Sequence, residues 1–325
     1  MQLFLSYIAG ALLAALTLTA RDAAIDRTGE VQRLQPESHA QAYRSIEGLT
    51  GTVTAICSEE TAALMRQWVD GFMKYYPGSI DIHIEQHFQF LVPSVMIDSR
   101  AQIGVMLRQL DAAELGRFQE TFGSKPVSLR SAVETLVVIV HKDNPIPGLA
   151  LPQLDALFST TRLGGFPEDI TRWRQLGLDV DWEVKLVGDR FSGLFRKRVV
   201  LDGDFADMEH VRDPKSVIKR VAGSRQSIGF CGLHHINSSV REIALAKQEG
   251  EPFRDSSLEN LIDGTYPLGR SLYIYINRPP DMPSNPLVSE FGKFVLSGEG
   301  QTLAMKSEYV PLPQAVIEQQ LAKLD

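Results

Sequence analysis

A few places in this chain gather residues that could do chemistry. His83, Glu85 and His87 alternate along one segment, so in a strand all three side chains share a face. Two imidazoles and a carboxylate are groups that zinc accepts. The same alternation is also what the wet face of a half-buried strand carries. His234 and His235 are adjacent and point opposite ways if extended, which suits one metal ion poorly. The two cysteines, Cys57 and Cys231, lie far apart in sequence. They read either as a disulfide or as two separate buried thiols. Ser58-Glu59-Glu60 opens a helical pattern: the serine is a good N-cap, and the two acids suit the positive end of the helix dipole. No Ser/His/Asp set, paired carboxylates or Gly-rich nucleotide loop has the required spacing. The expectation is a binding protein, not an enzyme, with no catalytic residue, cofactor or metal.

Composition narrows what could be bound. The chain has 325 residues, 44% hydrophobic and 22% charged, with a formal net charge of -7. That balance is normal for a folded protein and argues against a nucleic-acid partner, which calls for a basic excess. It leaves a small anion open, because a few local dipoles can hold one inside an acidic protein. Leu3 to Ala20 is nearly continuous apolar sequence that turns polar at Arg21-Asp22. Residues 1–20 read as a secretory signal or a retained membrane anchor, so the expected location is periplasmic or extracytoplasmic. Residues 21–47 carry no clear period and read as a linker or loosely packed arm.

The elements that would position these residues begin at Leu49. Gly51 to Ile56 predicts a strand. Met65, Trp68, Val69, Phe72 and Tyr76 recur at helical spacing after Ser58, up to Pro77-Gly78. Ile80, Ile82 and Ile84 alternate as a half-buried strand. Further strands are predicted at Glu134–His141, Trp182–Val187, Ile228–Phe230 and Ser271–Asn277, the last ended by Pro279-Pro280. Helices are predicted at Leu151–Phe158, Phe195–Leu201, Ser284–Ser297 and from Pro313 onward. Strands alternating with helices argue for an α/β architecture with mostly parallel sheets. No internal repeat is present.

Several stretches, taken in order, resemble one family. They are His141-Lys142-Asp143-Asn144-Pro145, Leu157-Phe158-Ser159-Thr160-Thr161-Arg162, and Asp169-Ile170-Thr171-Arg172-Trp173-Arg174-Gln175-Leu176-Gly177. Ser227-Ile228-Gly229-Phe230, the run Tyr266 to Asn277 (YPLGRSLYIYIN), Gly300-Gln301 and Tyr309-Val310-Pro311-Leu312-Pro313 complete the set. From about Leu49 to Pro313 the chain resembles the substrate-binding proteins of phosphate ABC transporters, as a divergent member. The resemblance implies a two-lobed periplasmic-binding-protein-like fold of type 2, with mixed sheets flanked by helices and a ligand cleft between lobes. Lobe 1 would comprise residues 48–134 plus 271–325, and lobe 2 residues 135–270. Crossing strands would join them and a hinge would close them.

That resemblance also implies a site of four loops, each altered here. Where relatives read like GSDT, this chain has Cys57-Ser58-Glu59-Glu60, so Glu60 replaces a hydroxyl donor with a negative charge. Two unit charges about 4 Å apart repel by roughly 4 kcal/mol at an effective dielectric of 20, about three decades of affinity. Alternatively, Glu60 points to solvent and only complements the dipole. A GSS loop becomes Phe88-Gln89-Phe90, either an apolar wall for an organic ligand or ordinary packing. A GxMSR segment becomes Gly104 to Arg108, with Leu107 for serine and Arg108 retained, as a ligand contact or a structural ion pair. A GR…SGT loop becomes Gly188 to Leu194, with Arg190 displaced, Ser192-Gly193 retained and Leu194 for threonine. The implied ligand contacts are Ser58, Glu59, Glu60, Arg108, Arg190, Ser192 and Gly193. The expected ligand is a small anion such as phosphate or another small solute. The partner is an ABC permease, or a sensor protein if the scaffold serves signalling; the expected state is a monomer.

Overall fold

The computed structural model describes residues 41–278 and 285–324. The signal or anchor over 1–20, the linker up to residue 40 and the Pro279-Pro280 strand end lie outside the described residues. The last part of the expected linker is not loose. Tyr43 is buried, its ring meets Phe72 and Phe294 edge-on, and its hydroxyl lies 2.7 Å from that of Tyr76 and donates to Glu290 at 2.9 Å. A tyrosine with an apolar bed and a satisfied hydroxyl ties down backbone that composition alone marks as free.

Among the described residues eleven strands form: β1 (Gly51–Cys57), β2 (Ile80–Gln86), β3 (Ile103–Met106), β4 (Val127–His141), β5 (Gly148–Ala150), β6 (Lys185–Gly188), β7 (Glu209–His210), β8 (Ser227–Gly232), β9 (Val240–Glu242), β10 (Ala244–Ala246) and β11 (Gly269–Ile276). Ten α-helices accompany them among the described residues: α1 (Glu59–Met73), α2 (Val92–Ile97), α3 (Ala112–Phe122), α4 (Leu151–Phe158), α5 (Gly193–Arg198), α6 (Pro214–Ala222), α7 (Leu258–Ile262), α8 (Pro286–Leu296), α9 (Gly298–Lys306) and α10 (Gln314–Leu321). The main sheet runs β2-β1-β3-β11-β4-β8-β6-β7, with β9 also on β4. β5 and β10 pair separately.

The sheet is mixed, and the mixing has a function in the architecture. β1 pairs with β2 and β3 in parallel, and β6 pairs with β7 and β8 in parallel. The middle contacts, β3 with β11, β11 with β4 and β4 with β8, are antiparallel. The mostly parallel expectation therefore holds at the flanks and fails at the centre. β4 is 15 residues long, starting seven residues before the predicted Glu134. Its first half pairs with β11 and its second half with β8 and β9. One continuous strand thus serves both halves of the molecule, and Glu134–Leu136 is where it changes partner.

The apolar periodicity builds the core as expected. Met65, Trp68, Val69 and Phe72 of α1 are all buried. The helix stops at Met73, short of the predicted Pro77-Gly78, and Tyr76 packs beyond it. Trp68 donates its indole N–H to the Gly300 carbonyl at 2.8 Å, locking α1 to α9. On the opposite face of the sheet, Ile56, Val92, Met96, Phe118 and Tyr275 form a second cluster. No helix among the described residues is long and apolar enough to cross a membrane.

Candidate functional site

In open α/β sheets, ligands sit beyond the carboxyl ends of parallel strands. Here those ends belong to β1, β2 and β3 on one side and to β6 on the other. The segments that follow them are Ser58–Glu60, His87–Phe90, Leu107–Arg108 and Asp189–Gly193, the four loops singled out from sequence.

Glu60 is the residue that ties these loops together. It does not simply face solvent. One carboxylate oxygen, Oε1, accepts from Arg270 Nη2 at 3.2 Å, and the other, Oε2, lies 3.8 Å from Lys197 Nζ. A Cβ placed on Gly193 would overlap Glu60 Oε1, so the carboxylate rests directly on the glycine backbone. Glu60 comes from α1, Gly193 and Lys197 from α5, and Arg270 from β11, so one side chain spans the space between the two flanks of the sheet.

Arg270 is the hub. The β4–β11 register places it directly opposite Glu134, and its Nε donates to that carboxylate. Its side chain is only 7% exposed, against 31% for Glu60 and 27% for Glu134. Burial disfavours the guanidinium charge, but Glu134 and Glu60 outweigh burial and hold its pKa above the usual arginine value. Tyr309 lies against the same cluster: burial first, then the charge of Glu134, pushes its phenol pKa up. Sequence reading missed Arg270, Glu134, Lys197 and Tyr309 as site residues. A signal existed, since Glu134 and Arg270 are opposite charges that each stand next to an apolar strand run, Leu136–Val140 and Leu272–Ile276.

The remaining residues take individual places. Ser58 is buried and caps α1 by geometry, with its hydroxyl 3.3 Å from that of Thr61. Glu59 is exposed. Arg108 is engaged by Glu114 through two bonds of 2.7 Å, which raises the arginine pKa and lowers that of the carboxylate. It also donates to the Gln109 carbonyl, so this guanidinium is committed to the start of α3. Arg190 donates to the Met208 carbonyl at 3.0 Å and pairs with Asp207 at 3.4 Å, while its Nε is shielded without an acceptor. Ser192 caps α5 by accepting from Phe195 N at 3.4 Å. Glu60 and Gly193 are thus brought together, whereas Arg108 and Arg190 are held by other protein groups.

The bulky replacements divide. Leu107 and Leu194 are buried and fill space. Phe88 and Phe90 do not: they are 73% and 66% exposed and stack on each other, centroids 5.7 Å apart and ring planes nearly parallel. Ordinary packing is therefore the wrong reading for this pair. The short helical turn Gln89–Leu91 turns both rings outward. Phe191, in the loop after β6, is also exposed, with the Arg212 guanidinium 4.6 Å over its ring.

The other chemical candidates take separate places. His87 lies 3.5 Å from Glu85, which also pairs with Arg100. His235 meets Glu308 at 3.0 Å, and this bond lowers the carboxylate pKa. His234 is largely buried with neither ring nitrogen partnered, and burial lowers its pKa. Cys57 and Cys231 are free, buried thiols whose pKa values burial pushes up to about 11 and about 12. They do not form a disulfide.

Residues 96–299 match a family model described as a PBP superfamily domain. A protein named phosphate-binding protein PstS, from Pseudomonas aeruginosa, is 36% identical over 321 residues, covering 96% of this chain and 98% of that protein. Protein SphX of Synechococcus elongatus is 25% identical over 59% of this chain and 57% of its own length. Among solved structures, a possible phosphate binding protein from Planctomyces limnophilus superposes with a TM-score of 0.72 at 17% identity, covering 85% of this chain and 98% of that one. PstS from Borrelia burgdorferi superposes with a TM-score of 0.62 at 16% identity, covering 81% and 99%.

Proposed function

Because the chain belongs to the phosphate-binding protein family of the PBP superfamily, we propose that it is an extracytoplasmic receptor whose interlobe cleft has a degenerate anion site. Lobe 1 is taken as residues 48–134 plus 271–325 and lobe 2 as 135–270, with β4 and β11 as the crossing strands. The cleft holds a small solute for delivery to an ABC permease, and takes phosphate only weakly. The observation that carries this reading is the Glu60 carboxylate on Arg270 and beside Lys197. An incoming oxyanion would meet a negative charge where it needs donors. At about 4 Å and an effective dielectric of 20, that repulsion is roughly 4 kcal/mol. Two positions that the resemblance assigns to hydroxyl donors supply none here: Leu107 and Leu194 are buried apolar groups.

The test is a melting series of the full chain, purified from its own host, against phosphate, sulfate and organic solutes. Mass spectrometry of the denatured protein identifies any solute carried through purification. A small solute that raises Tm, with phosphate effective only at millimolar concentration, supports the reading. A micromolar response to phosphate overturns it.

A second reading, a sensor or interaction module on the same scaffold, draws on the exposed Phe88/Phe90 stack beside the cleft. Large exposed aromatics of this kind recur at protein interfaces. Loss of a co-purifying protein in the Phe88→Ser/Phe90→Ser variant, with no solute found in the wild type, would favour it.

A further inference from the structure

We propose that Glu60 is an internal anion that latches the cleft, competing with any external oxyanion for Arg270 and Lys197 and holding the two lobes together in its absence. The proposal rests on the receptor reading above and adds how the cleft is kept shut. An anion-binding cleft closes because the ligand's charge satisfies donors from both sides at once. Here one side chain of the protein does so. Glu60 extends from α1 on one flank. It receives Arg270 at the crossing strand and lies within ion-pair distance of Lys197 on the far flank.

Glu60 Oε1 lies where a Cβ at position 193 would fall, so glycine there lets the carboxylate sit against the backbone of α5 with no side chain between them. Arg270 is held for this task by Glu134 across the strand pair and by burial of its side chain. With two carboxylates on one guanidinium, the cluster is already charge-saturated. A dianion such as phosphate can reach Arg270 only if Glu60 swings out, and Glu60 is exposed enough to do so. The latch is therefore reversible: displacement of Glu60 both frees the donors and uncouples the lobes.

The experiment compares the wild type with Glu60→Thr, Glu60→Gln and Glu60→Asp in the full chain. Small-angle scattering reads lobe separation without ligand, and calorimetry reads inorganic phosphate affinity at low salt. If Glu60 is the latch, Glu60→Gln and Glu60→Asp give a larger radius of gyration than the wild type. Aspartate keeps the charge but stops one methylene short, so it separates reach from charge and guards against a misfolded threonine variant. Glu60→Thr binds phosphate roughly 100- to 1,000-fold more tightly than the wild type. Equal radii for all four proteins, together with phosphate affinities within threefold, would overturn the latch while leaving the receptor reading intact. Opening of the variants with no phosphate binding by any of them would keep the latch and discard phosphate as the family ligand retained here.

Discussion

Removing the Arg270 guanidinium tests the structural core of this cleft. At 3.2 Å and an effective dielectric of 20, the attraction between Arg270 and Glu60 is about 5 kcal/mol before desolvation is counted. Arg270 is nearly fully buried, so most of that attraction offsets its own lost hydration. The net coupling expected from a double-mutant cycle is about 1–3 kcal/mol. The cycle uses Glu60→Gln, Arg270→Met and the double variant, unfolded in urea. Arg270→Met alone is expected to cost about 3–5 kcal/mol, because it strands Glu134 as well as Glu60. The tryptophans report on both halves: Trp68 lies in α1, whereas Trp173 and Trp182 lie between α4 and β6. Coincident fluorescence and circular dichroism transitions would establish that one transition is being measured. A Glu60–Arg270 coupling below about 0.5 kcal/mol would refute the reasoning, since that is the range of an exposed surface pair. Lys197 is half exposed and 3.8 Å away, so its cycle with Glu60 is expected to give a smaller coupling than the Arg270 cycle, up to about 1 kcal/mol.

Three other outcomes follow from the packing and the charges. Gly300→Ala is expected to destabilise the protein by about 3 kcal/mol in urea unfolding, because the added Cβ would overlap the Phe294 and Val295 carbonyl oxygens, which are backbone and cannot yield. Glu114 has a lowered pKa, so its stabilising pairing with Arg108 is complete above the ordinary carboxylate value of 4.5 and is lost as pH falls through the lower folded value. Glu114→Gln should therefore cost about 2 kcal/mol at pH 7 and flatten the stability decline below pH 4.5. The thiols of Cys57 and Cys231, with pKa values pushed up to about 11 and about 12, should resist iodoacetamide in the native protein at pH 8 and react once urea unfolds it.

Sequence carried much of this fold because its signals were local. The α1 stripe, the alternation of β2 and the apolar β4 run each state their own period, and the structure follows them. Two of the helices that escaped notice, α3 and α9, lack such a stripe, whereas α6 carries one in Val217, Ile218 and Val221 and was overlooked. Only Glu114 and Phe118 are buried in α3, and α9 contains Gly298 and Gly300, which lower helix propensity. The length of β4 was hidden for a different reason. Its first half, Val127 to Val133, includes Arg130, which reaches the Leu261 and Ile262 carbonyls, so its pattern is broken by a tertiary contact.

The site was legible as positions and not as directions. Four loops were located because each follows the end of a strand, but the aim of a side chain depends on what stands opposite. Glu60 faces Arg270 and Gly193 from distant segments, and no local rule states that meeting. Arg108 was open between ligand contact and ion pair, and the capping carboxylate of Glu114 engages it. The Phe88/Phe90 stack shows the converse: apolar residues in a loop suggest packing, yet the short turn after β2 leaves both rings outside.

The most direct measurement is calorimetric titration of the wild-type protein with inorganic phosphate at low ionic strength. A degenerate site with Glu60 seated on Arg270 should give a Kd of about 1 mM or weaker, equivalent to about 4 kcal/mol of binding free energy. A Kd near or below about 1 μM, roughly twice that free energy, would contradict the account, because no oxyanion could bind so tightly beside an unmoved carboxylate.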